Sequence, residues 1–322
     1  MNVTVIGTGA FGYAIAKMLY KNGNNIIMWT HNKEEVDLLQ KGKKEIIPGQ
    51  KIPKDIKFTN NYEEALKDAE IVFIMVAAKY VGDVAANMKP FINDKMHFCI
   101  GSKGIEQGSC KFVHQVFNDY IKTKYISVIS GPSFAIDVVN NEPIGFAIAS
   151  KSFKTKSKIK KALTSDTIKL RNSTDIIGIE ICGSIKNVIA VASGILNGLG
   201  YNESTRSFLI VESMHDIKEL IRVLGGKKKT ILSFAGIGDL LLTCTSEKSR
   251  NYSYGILIGK GKKDQANKYL ETNTVEGYYT LKSIYTLLRR KRIKMPVIDL
   301  IYKIIMKDAD PNLLVDFLIK KK

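Results

Sequence analysis

Charged residues interrupt two apolar segments in the second half of the chain. Lys186 lies in the stretch CGSIKNVIAVASG, where a charge is unfavourable unless a ligand or a carboxylate meets it. Asp239 follows a glycine-rich turn in FAGIGDLLLTC, and Thr243 stands four residues later on the same helical face. These residue types suit catalysis in a ligand site. As a sequence feature alone, Asp239 is explained slightly better as the cap of the helix that follows it than as a catalytic group.

Two polar loops contain groups that suit an anionic ligand. In SEKSRNYSYG, the residues Ser249, Arg250 and Asn251 place a guanidinium beside neutral donors, a combination suited to bidentate phosphate binding. Lys103 follows the fourth predicted strand, and ligands of an open parallel sheet gather beyond such strand ends. An ordinary solvated loop is the alternative explanation for both segments.

The segment GTGAFG near the start of the chain supplies Gly7, Gly9 and Gly12 between a predicted strand and a predicted helix. In that context Gly7 permits the sharp turn, Gly9 leaves room for a pyrophosphate and Gly12 lets the helix pack close to the strand. The helix N-terminus would then face the phosphates with unpaired N–H groups. The pattern predicts dinucleotide binding, with a purely structural turn as the alternative.

The end of the second predicted strand indicates which dinucleotide is bound. An acid that reads the adenosine ribose is expected about twenty residues beyond the glycines, which points to Trp29. Thr30, His31, Asn32 and Lys33 follow it instead of a carboxylate. The missing acid favours NADP over NAD, although Glu34 and Glu35 lie just beyond and could turn back toward the site.

These candidate residues require a sheet of parallel strands and a helical unit to position them. The strand-like segments are VTVIG from Val3, NIIMW from Asn25, EIVFIMV from Glu70, HFCIG from His97, ISVIS from Ile126 and GFAIAS from Gly145. Helix-like segments alternate with them, which predicts an α/β, Rossmann-like doubly wound sheet. After about residue 175 helical periodicity dominates. We therefore predict a dinucleotide-binding domain at 1–178 and an all-α substrate and catalytic domain at 179–322.

Composition restricts the class of protein further. The chain has 322 residues, 45% of them hydrophobic, and its longest apolar run, 71–78, is too short to cross a bilayer. Four scattered cysteines predict reduced thiols in a cytoplasmic protein without a metal cluster. The net charge of +18 comes from dispersed clusters with few aromatic residues, which predicts solvated faces and no nucleic-acid partner. Contact of these faces with an anionic membrane remains an alternative.

Taken in order, the motifs resemble one known family nearly end to end. The motifs are GTGAFG, W-x-H after the second strand, SKGIE, SGPSFA, CGSIKNVIAVASG with NGLGY, AGIGDLLLTCT, SRN, VEGYYT and MPVIDLIY. This ordered set is similar to the bacterial-type glycerol-3-phosphate dehydrogenases that use NAD or NADP. The resemblance implies reversible reduction of dihydroxyacetone phosphate to sn-glycerol 3-phosphate, which supplies glycerophospholipid synthesis, with a homodimer as one open oligomeric state.

The resemblance also implies roles for individual residues. Lys186 matches the proton donor and acceptor, Lys103 the lysine shared by cofactor and substrate, and Asp239 the carboxylate beside the catalytic lysine. Thr243 is grouped with these catalytic residues. The cofactor contacts are expected at Gly7, Gly9, Ala10, Phe11, Gly12, His31, Lys103, Ala135, Arg250 and Glu276, and the substrate contacts at Lys103, Gly131, Ser133, Lys186, Asp239, Ser249, Arg250 and Asn251.

Three positions depart from the family pattern. Val76-Ala77-Ala78 replaces a Val-Pro-Ser turn, Ile136 replaces a lysine, and Tyr252 replaces an arginine that often follows SRN. Other readings of the same fold are a ketopantoate reductase-like or hydroxyacid dehydrogenase-like enzyme, a noncatalytic dinucleotide sensor, or a basic nucleic-acid-binding protein. The SRN loop favours a phosphorylated substrate, and a sensor would leave Lys186 and Asp239 without a role.

Overall fold

The computed structural model describes residues 1–320, which form two compact units. The first unit comprises Met1–Ser102 and Val113–Ile176, and the second comprises Lys103–Phe112 and the chain from Ile177 onward. A short segment from the first half of the sequence therefore belongs to the second unit by its contacts. The predicted limits 1–178 and 179–322 are contiguous and do not include the assignment of 103–112 to the second unit. As domain limits they stay a prediction.

An eight-stranded sheet forms the centre of the first unit. Its strands are β1 (Asn2–Ile6), β2 (Asn25–Trp29), β3 (Lys57–Thr59), β4 (Ile71–Ile74), β5 (His97–Ile100), β6 (Ile126–Ser130), β7 (Ile144–Ala149) and β8 (Ile168–Ser173). They lie in the order β3-β2-β1-β4-β5-β6-β7-β8. Neighbouring strands are parallel except β6 and β7, whose residues Val128 and Ala149 pair antiparallel. The order reverses between β1 and β4, as in a doubly wound sheet that binds ligands at this point.

Six of the eight strands coincide with predicted segments, and two were not predicted. The central strand β4 is buried along its whole length, which explains its uninterrupted apolar sequence. The missed strand β3 has only three residues. The missed strand β8, IKLRNS, is half-buried and mostly polar because it lies at the sheet edge. Edge strands carry less of the apolar pattern by which strands are recognised in a sequence.

Seven helices accompany the sheet in the first unit: α1 (Ala10–Lys21), α2 (Lys33–Gln40), α3 (Tyr62–Leu66), α4 (Val81–Met88), α5 (Val113–Tyr120), α6 (Ala135–Val139) and α7 (Phe153–Leu163). The helix α1 buries Tyr13, Ile15 and Leu19 in the same core as Val3 and Val5 of β1. This packing fixes the start of α1 directly after the first strand.

The second unit is helical, as predicted. Its helices are α8 (Ile176–Gly198), α9 (Glu203–Val223), α10 (Asp239–Thr245), α11 (Arg250–Gly259), α12 (Lys263–Thr272), α13 (Glu276–Lys291), α14 (Pro296–Lys307) and α15 (Leu313–Ile319). Among the described helices, α8 alone is long and apolar enough to cross a membrane. Because 94% of its apolar window is buried inside the protein, α8 has the character of a core helix.

The segment 103–112 is anchored in the core of the helical unit. Ile105, Cys110 and Phe112 are buried there, among side chains of α8. Ile105 and Phe112 form an antiparallel bridge that closes the segment into a narrow loop. As a result, Lys103 at the start of the loop is held by the helical unit, although it follows β5 in the sequence.

Candidate active site

The amine of Lys186 is buried between two oxygen atoms in the middle of the helical unit. The Lys186 side chain extends from α8, and its Nζ donates to Oδ1 of Asp239 at 2.7 Å and to Oγ1 of Thr243 at 2.8 Å. Only 7% of Lys186 and 2% of Asp239 is exposed. The carboxylate thus provides the partner that a lysine in this apolar helix requires.

A second lysine shares the same carboxylate. Lys103 Nζ donates to Oδ2 of Asp239 at 2.8 Å, and the Lys103 side chain keeps 18% of its surface exposed. Asp239 therefore bridges two amines, one on each carboxylate oxygen. Lys103, Lys186 and Asp239, widely separated in the sequence, thus form one cluster, which we call the lysine pair of Asp239. Its net charge is +1 when all three residues are ionised.

Burial and neighbouring charges shift the pKa values of this cluster. Burial lowers the pKa of Lys186 to about 8, with Asp239 opposing the shift and Lys103 adding to it. Burial acts to raise the pKa of Asp239, but the charges of Lys103 and Lys186 outweigh it and hold that pKa below its ordinary value. Asp239 is therefore ionised at neutral pH. The pKa of Lys186 lies close to neutral pH, which suits a group that both donates and accepts a proton.

The backbone before α10 places Asp239 at the start of that helix. Residues 234–238 form a wide π-type turn in which Gly236 has a non-helical backbone, and Ser233 Oγ accepts from Gly236 N at 3.2 Å. A side chain at Gly236 would collide with the carbonyl group of Ile231. Turns of this kind occur frequently at functional sites. As the first residue of α10, Asp239 is also stabilised by the positive end of the helix dipole.

Glycines bring α8 and α11 into backbone contact. A side chain at Gly194 or Gly198 of α8 would collide with carbonyl oxygens of α11, and one at Gly255 or Gly259 of α11 with carbonyl oxygens of α8. The two helices can therefore approach more closely than side chains normally allow. The four glycines were not singled out in the sequence, although their i, i+4 spacing in both helices is a signal of close helix packing.

This close packing places the SRN loop beside the residue that follows Lys186. Asn251 Nδ2 donates to Oδ1 of Asn187 at 3.0 Å, and Asn251 Oδ1 accepts from the backbone N–H of Gly277 at 2.8 Å. Ser249 caps α11 by accepting from Tyr252 N at 3.3 Å. The side chains of Ser249 and Asn251 therefore have structural partners, a fact that the sequence did not predict.

Two residues of the expected site lie at helix starts in the helical unit. Arg250 is the first residue of α11 and is exposed, so its guanidinium is accessible to an anionic ligand. Glu276 is the first residue of α13 and is partly buried, directly before the buried Gly277. Asn251 follows Arg250 and Gly277 follows Glu276, so each residue is next in sequence to a member of the hydrogen-bond network around Asn251.

The glycine loop of the first unit fits a dinucleotide. Gly7 has a φ of +115°, which side-chain-bearing residues rarely adopt, and a Cβ at Gly12 would lie 2.5 Å from the carbonyl oxygen of Gly7. At Gly9, by contrast, a Cβ would meet nothing within 4 Å. The helix α1 begins at Ala10 with no acidic residue in its first turn. An open space at Gly9 before an uncapped helix N-terminus suits a pyrophosphate.

The remaining residues of the expected site in the first unit follow strand ends. His31 is exposed and lies two residues after the end of β2, and Phe11 is partly buried in α1. A side chain at Gly131, after β6, would collide with the carbonyl oxygen of Gly145, while Ser133 Oγ donates to the carbonyl oxygen of Gly131 at 3.1 Å. Ala135 is the first residue of α6. The first unit therefore brings its expected residues to the carboxyl ends of parallel strands.

The structure changes the argument about the adenosine ribose. No acid stands at the end of β2, as the sequence indicates, but the carboxylate of Glu35 turns back from α2 toward the glycine loop and accepts from Thr8 Oγ1 at 2.9 Å. It also accepts from Thr30 Oγ1 at 2.5 Å. Glu35 therefore places an acid beside the loop. The lack of an acid at the end of β2 no longer argues for NADP.

A glycine-loop sheet unit and a helical unit with a buried lysine–carboxylate centre define the class of two-domain, dinucleotide-dependent oxidoreductases. The family model described as NAD-dependent glycerol-3-phosphate dehydrogenase N-terminus matches residues 2–156, and that for the C-terminus matches residues 175–316. The chain belongs to this family of enzymes. The family, the fold class and the use of NAD or NADP that the sequence predicts are confirmed.

Individual relatives cover almost the whole chain. A protein of Staphylococcus epidermidis named glycerol-3-phosphate dehydrogenase [NAD(P)+] is 34% identical over 95% of this chain and 94% of its own length. One of the same name from Staphylococcus aureus is 36% identical over the same shares. A crystal structure of glycerol-3-phosphate dehydrogenase from Coxiella burnetii superposes with a TM-score of 0.94 at 30% identity, covering 99% of both chains.

Proposed function

We propose that Lys186 is the general acid with which this chain reduces dihydroxyacetone phosphate to sn-glycerol 3-phosphate. The reaction itself follows from membership of the family, and its product supplies glycerophospholipid synthesis. The observation that carries the proposal is the buried Lys186 amine, held by Asp239 and Thr243 next to a second amine on the same carboxylate. A cytoplasmic location and assembly as a homodimer are parts of the proposal that rest on the sequence.

The residues of the lysine pair divide the chemistry between them. The reduced nicotinamide, when bound, supplies the hydride that adds to the central carbon of the ketone. Negative charge then grows on the ketone oxygen, to which the Lys186 ammonium donates its proton. The Lys103 ammonium stabilises that charge electrostatically. Asp239 orients both amines, and Thr243 fixes the Lys186 amine; in the reverse direction the neutral Lys186 amine accepts the proton from the hydroxyl.

The other expected residues serve binding in this proposal. Arg250 pairs with the substrate phosphate, since a guanidinium offers two parallel donors to an anion. Ser249, Asn251, Gly131 and Ser133 complete the substrate contacts. The cofactor is held by the residues of the glycine loop and of the following strand and helix ends: Gly7, Gly9, Ala10, Phe11, Gly12, His31, Lys103, Ala135, Arg250 and Glu276.

The test is an initial-rate comparison on the purified full-length chain. Oxidation of NADH and of NADPH is followed by absorbance with dihydroxyacetone phosphate, with unphosphorylated dihydroxyacetone, and with ketopantoate as a hydroxyacid-type alternative. We expect turnover with dihydroxyacetone phosphate and little with the other two ketones. Faster turnover of ketopantoate, or cofactor binding without turnover of any ketone, would overturn the proposed function.

The pKa of Lys186 predicts opposite pH profiles for the two directions. With a pKa of about 8 the amine is protonated below that pH, where ketone reduction has its acid, and kcat/KM for reduction falls as the pH rises above it. Oxidation of glycerol 3-phosphate needs the neutral amine, so its kcat/KM rises through the same pH. Initial rates between pH 6 and 10 measure both inflections. Two profiles that change in the same direction would contradict the assignment of Lys186.

Replacing Arg250 with alanine is expected to weaken substrate binding. Hydrogen bonds to charged groups typically contribute 1.5–3 kcal/mol, so KM for dihydroxyacetone phosphate should rise by about tenfold to a hundredfold while kcat falls less. Because Arg250 is exposed, the fold should tolerate the change. Arg289→Ala, an equally exposed arginine on α13, serves as the control. An unchanged KM in Arg250→Ala would remove Arg250 from the phosphate site.

A further inference from the structure

Glu35 forms a network with the glycine loop, the end of β2 and a lysine beyond α2. Its Oε2 accepts from the hydroxyls of Thr8 at 2.9 Å and Thr30 at 2.5 Å, and its Oε1 accepts from Lys44 Nζ at 2.6 Å. The Glu35 side chain is 17% exposed and that of Lys44 is 46% exposed. All four residues belong to the first unit.

The start of α2 holds Glu35 in this orientation. Asn32 caps the helix by accepting from Glu34 N at 2.9 Å and Glu35 N at 3.2 Å, which fixes the backbone of the first turn. Thr8 lies between Gly7 and Gly9, so the carboxylate is one hydrogen bond away from the loop that fits the pyrophosphate. This is the neighbourhood in which an acid reads the adenosine ribose in dinucleotide-binding sheets.

The carboxylate is charged and retains hydrogen-bonding capacity. Burial acts to raise the pKa of Glu35, but the hydrogen bonds from Lys44, Thr30 and Thr8 hold that pKa below its ordinary value, so Glu35 is an anion at neutral pH. A carboxylate offers about four acceptor positions, of which these three donors occupy three. Glu35 therefore has a position left for a ribose hydroxyl, whereas a ribose 2′-phosphate would face a like charge.

We infer that Glu35 recognises the 2′ position of the adenosine ribose by accepting a hydrogen bond from the 2′-hydroxyl of NAD(H). Lys44 has the opposite role: it neutralises Glu35 and attracts the 2′-phosphate, so that NADP(H) can also bind. The inference rests on the dinucleotide-binding part of the proposed function and adds to it the residues that set cofactor preference. The two side chains have opposite effects on the same discrimination, so their replacements must change it in opposite directions.

The expected sizes follow from the exposure of the two groups. Glu35→Gln removes a mostly buried negative charge, and the affinity for NADPH relative to NADH should rise by about tenfold. Lys44→Met removes a half-exposed positive charge, and the same ratio should fall by about threefold to fivefold, because solvent screens its interaction with an anion. Glutamine preserves the side-chain shape, and its amide oxygen can still accept from the threonine hydroxyls. Its amide nitrogen cannot accept from Lys44, so the variant loses that bond.

The experiment measures binding without turnover. Dissociation constants of NADPH and NADH, and of adenosine 2′,5′-bisphosphate and AMP as fragments without nicotinamide, are determined by calorimetry on the full-length chain and on both variants. The matched controls are Glu34→Gln and Lys43→Met, sequence neighbours that are exposed. We expect the ratios for both ligand pairs to move together, upward in Glu35→Gln and downward in Lys44→Met, and to stay within about twofold in the controls.

Failure of this inference is distinguishable from failure of the proposed function. If the unmodified chain binds the nucleotides but Glu35→Gln leaves both ratios unchanged, the assignment of Glu35 is overturned while the reaction stands. A Lys44→Met variant with an unchanged ratio would overturn the role of Lys44 in the same way, and this exposed substitution leaves the fold intact. If the unmodified chain binds none of the four ligands, dinucleotide binding itself is refuted and the inference falls with it.

Discussion

Replacing Lys186 with alanine is expected to lower kcat for reduction of dihydroxyacetone phosphate by about 10²- to 10⁴-fold, the usual contribution of a positioned general acid. Cofactor affinity should remain nearly unchanged, because Lys186 is not among the residues proposed to hold the cofactor. Asp239 keeps its bond from Lys103 in the variant, so the remaining carboxylate is still compensated. Steady-state rates and calorimetric titration with NADPH measure the two effects separately.

The alanine substitution also leaves a cavity in a buried region. Lys186→Met, which keeps most of the side-chain volume, separates the loss of the amine from the loss of packing. Lys268→Ala, on the exposed face of α12, controls for the removal of a lysine from the helical unit. If Lys186→Met retained most of the turnover, the amine would not be the proton donor and the mechanism would need another acid.

Replacing Asp239 with asparagine is expected to reduce both activity and stability. Two amines that shared a carboxylate would then lie close together without it, and removing one partner of a buried pair typically costs about 3–5 kcal/mol. Loss of the carboxylate lowers the pKa of Lys186 further, and deprotonation of Lys186 then relieves part of that cost. We expect kcat for reduction near pH 7.5 to fall by about tenfold or more, with its inflection displaced to lower pH.

The displaced pH profile distinguishes positioning from a purely structural role. Asp239→Glu restores a carboxylate and should return the inflection toward pH 8 even where kcat stays low because the longer side chain misplaces the amine. Urea denaturation of each variant measures the change in unfolding free energy, with Asp264→Asn on α12 as the exposed control. A normal inflection in the residual activity of Asp239→Asn would exclude Asp239 from control of the Lys186 proton.

Most of the fold could be predicted because its central strands and long helices are buried in simple patterns. The buried strand β4 is a continuous apolar run, and the buried strand β6, ISVIS, is rich in β-branched residues; these features predict both strands. The glycine spacing identified the turn after β1. The short β3 and the polar edge strand β8 were missed since neither buries enough apolar surface to mark its sequence. The antiparallel pairing of β6 and β7 departs from the parallel rhythm, and only a five-residue helix lies between them.

The active-site cluster could be predicted in its members but not in its geometry. Lys186 is conspicuous because a charge interrupts an apolar helix, and Asp239 because an acid follows a glycine-rich turn. That one carboxylate serves both Lys186 and Lys103 depends on the anchoring of the segment 103–112 by Ile105 and Phe112, a tertiary contact without local signal. The contact of the Glu35 carboxylate with the glycine loop likewise depends on how α2 starts. The sequence alone left open whether Glu35 makes this contact.

The excursion of 103–112 into the helical unit means that the polypeptide passes between the two units three times, at 102/103, 112/113 and 176/177. The halves of this enzyme are consequently not separable genetic modules. A recombinant fragment that starts at Ile177 would lack Lys103 and the buried side chains of Ile105 and Phe112, leaving a hole in its own hydrophobic interior. Chimeras that exchange one half between relatives must therefore carry this insert with the helical partner.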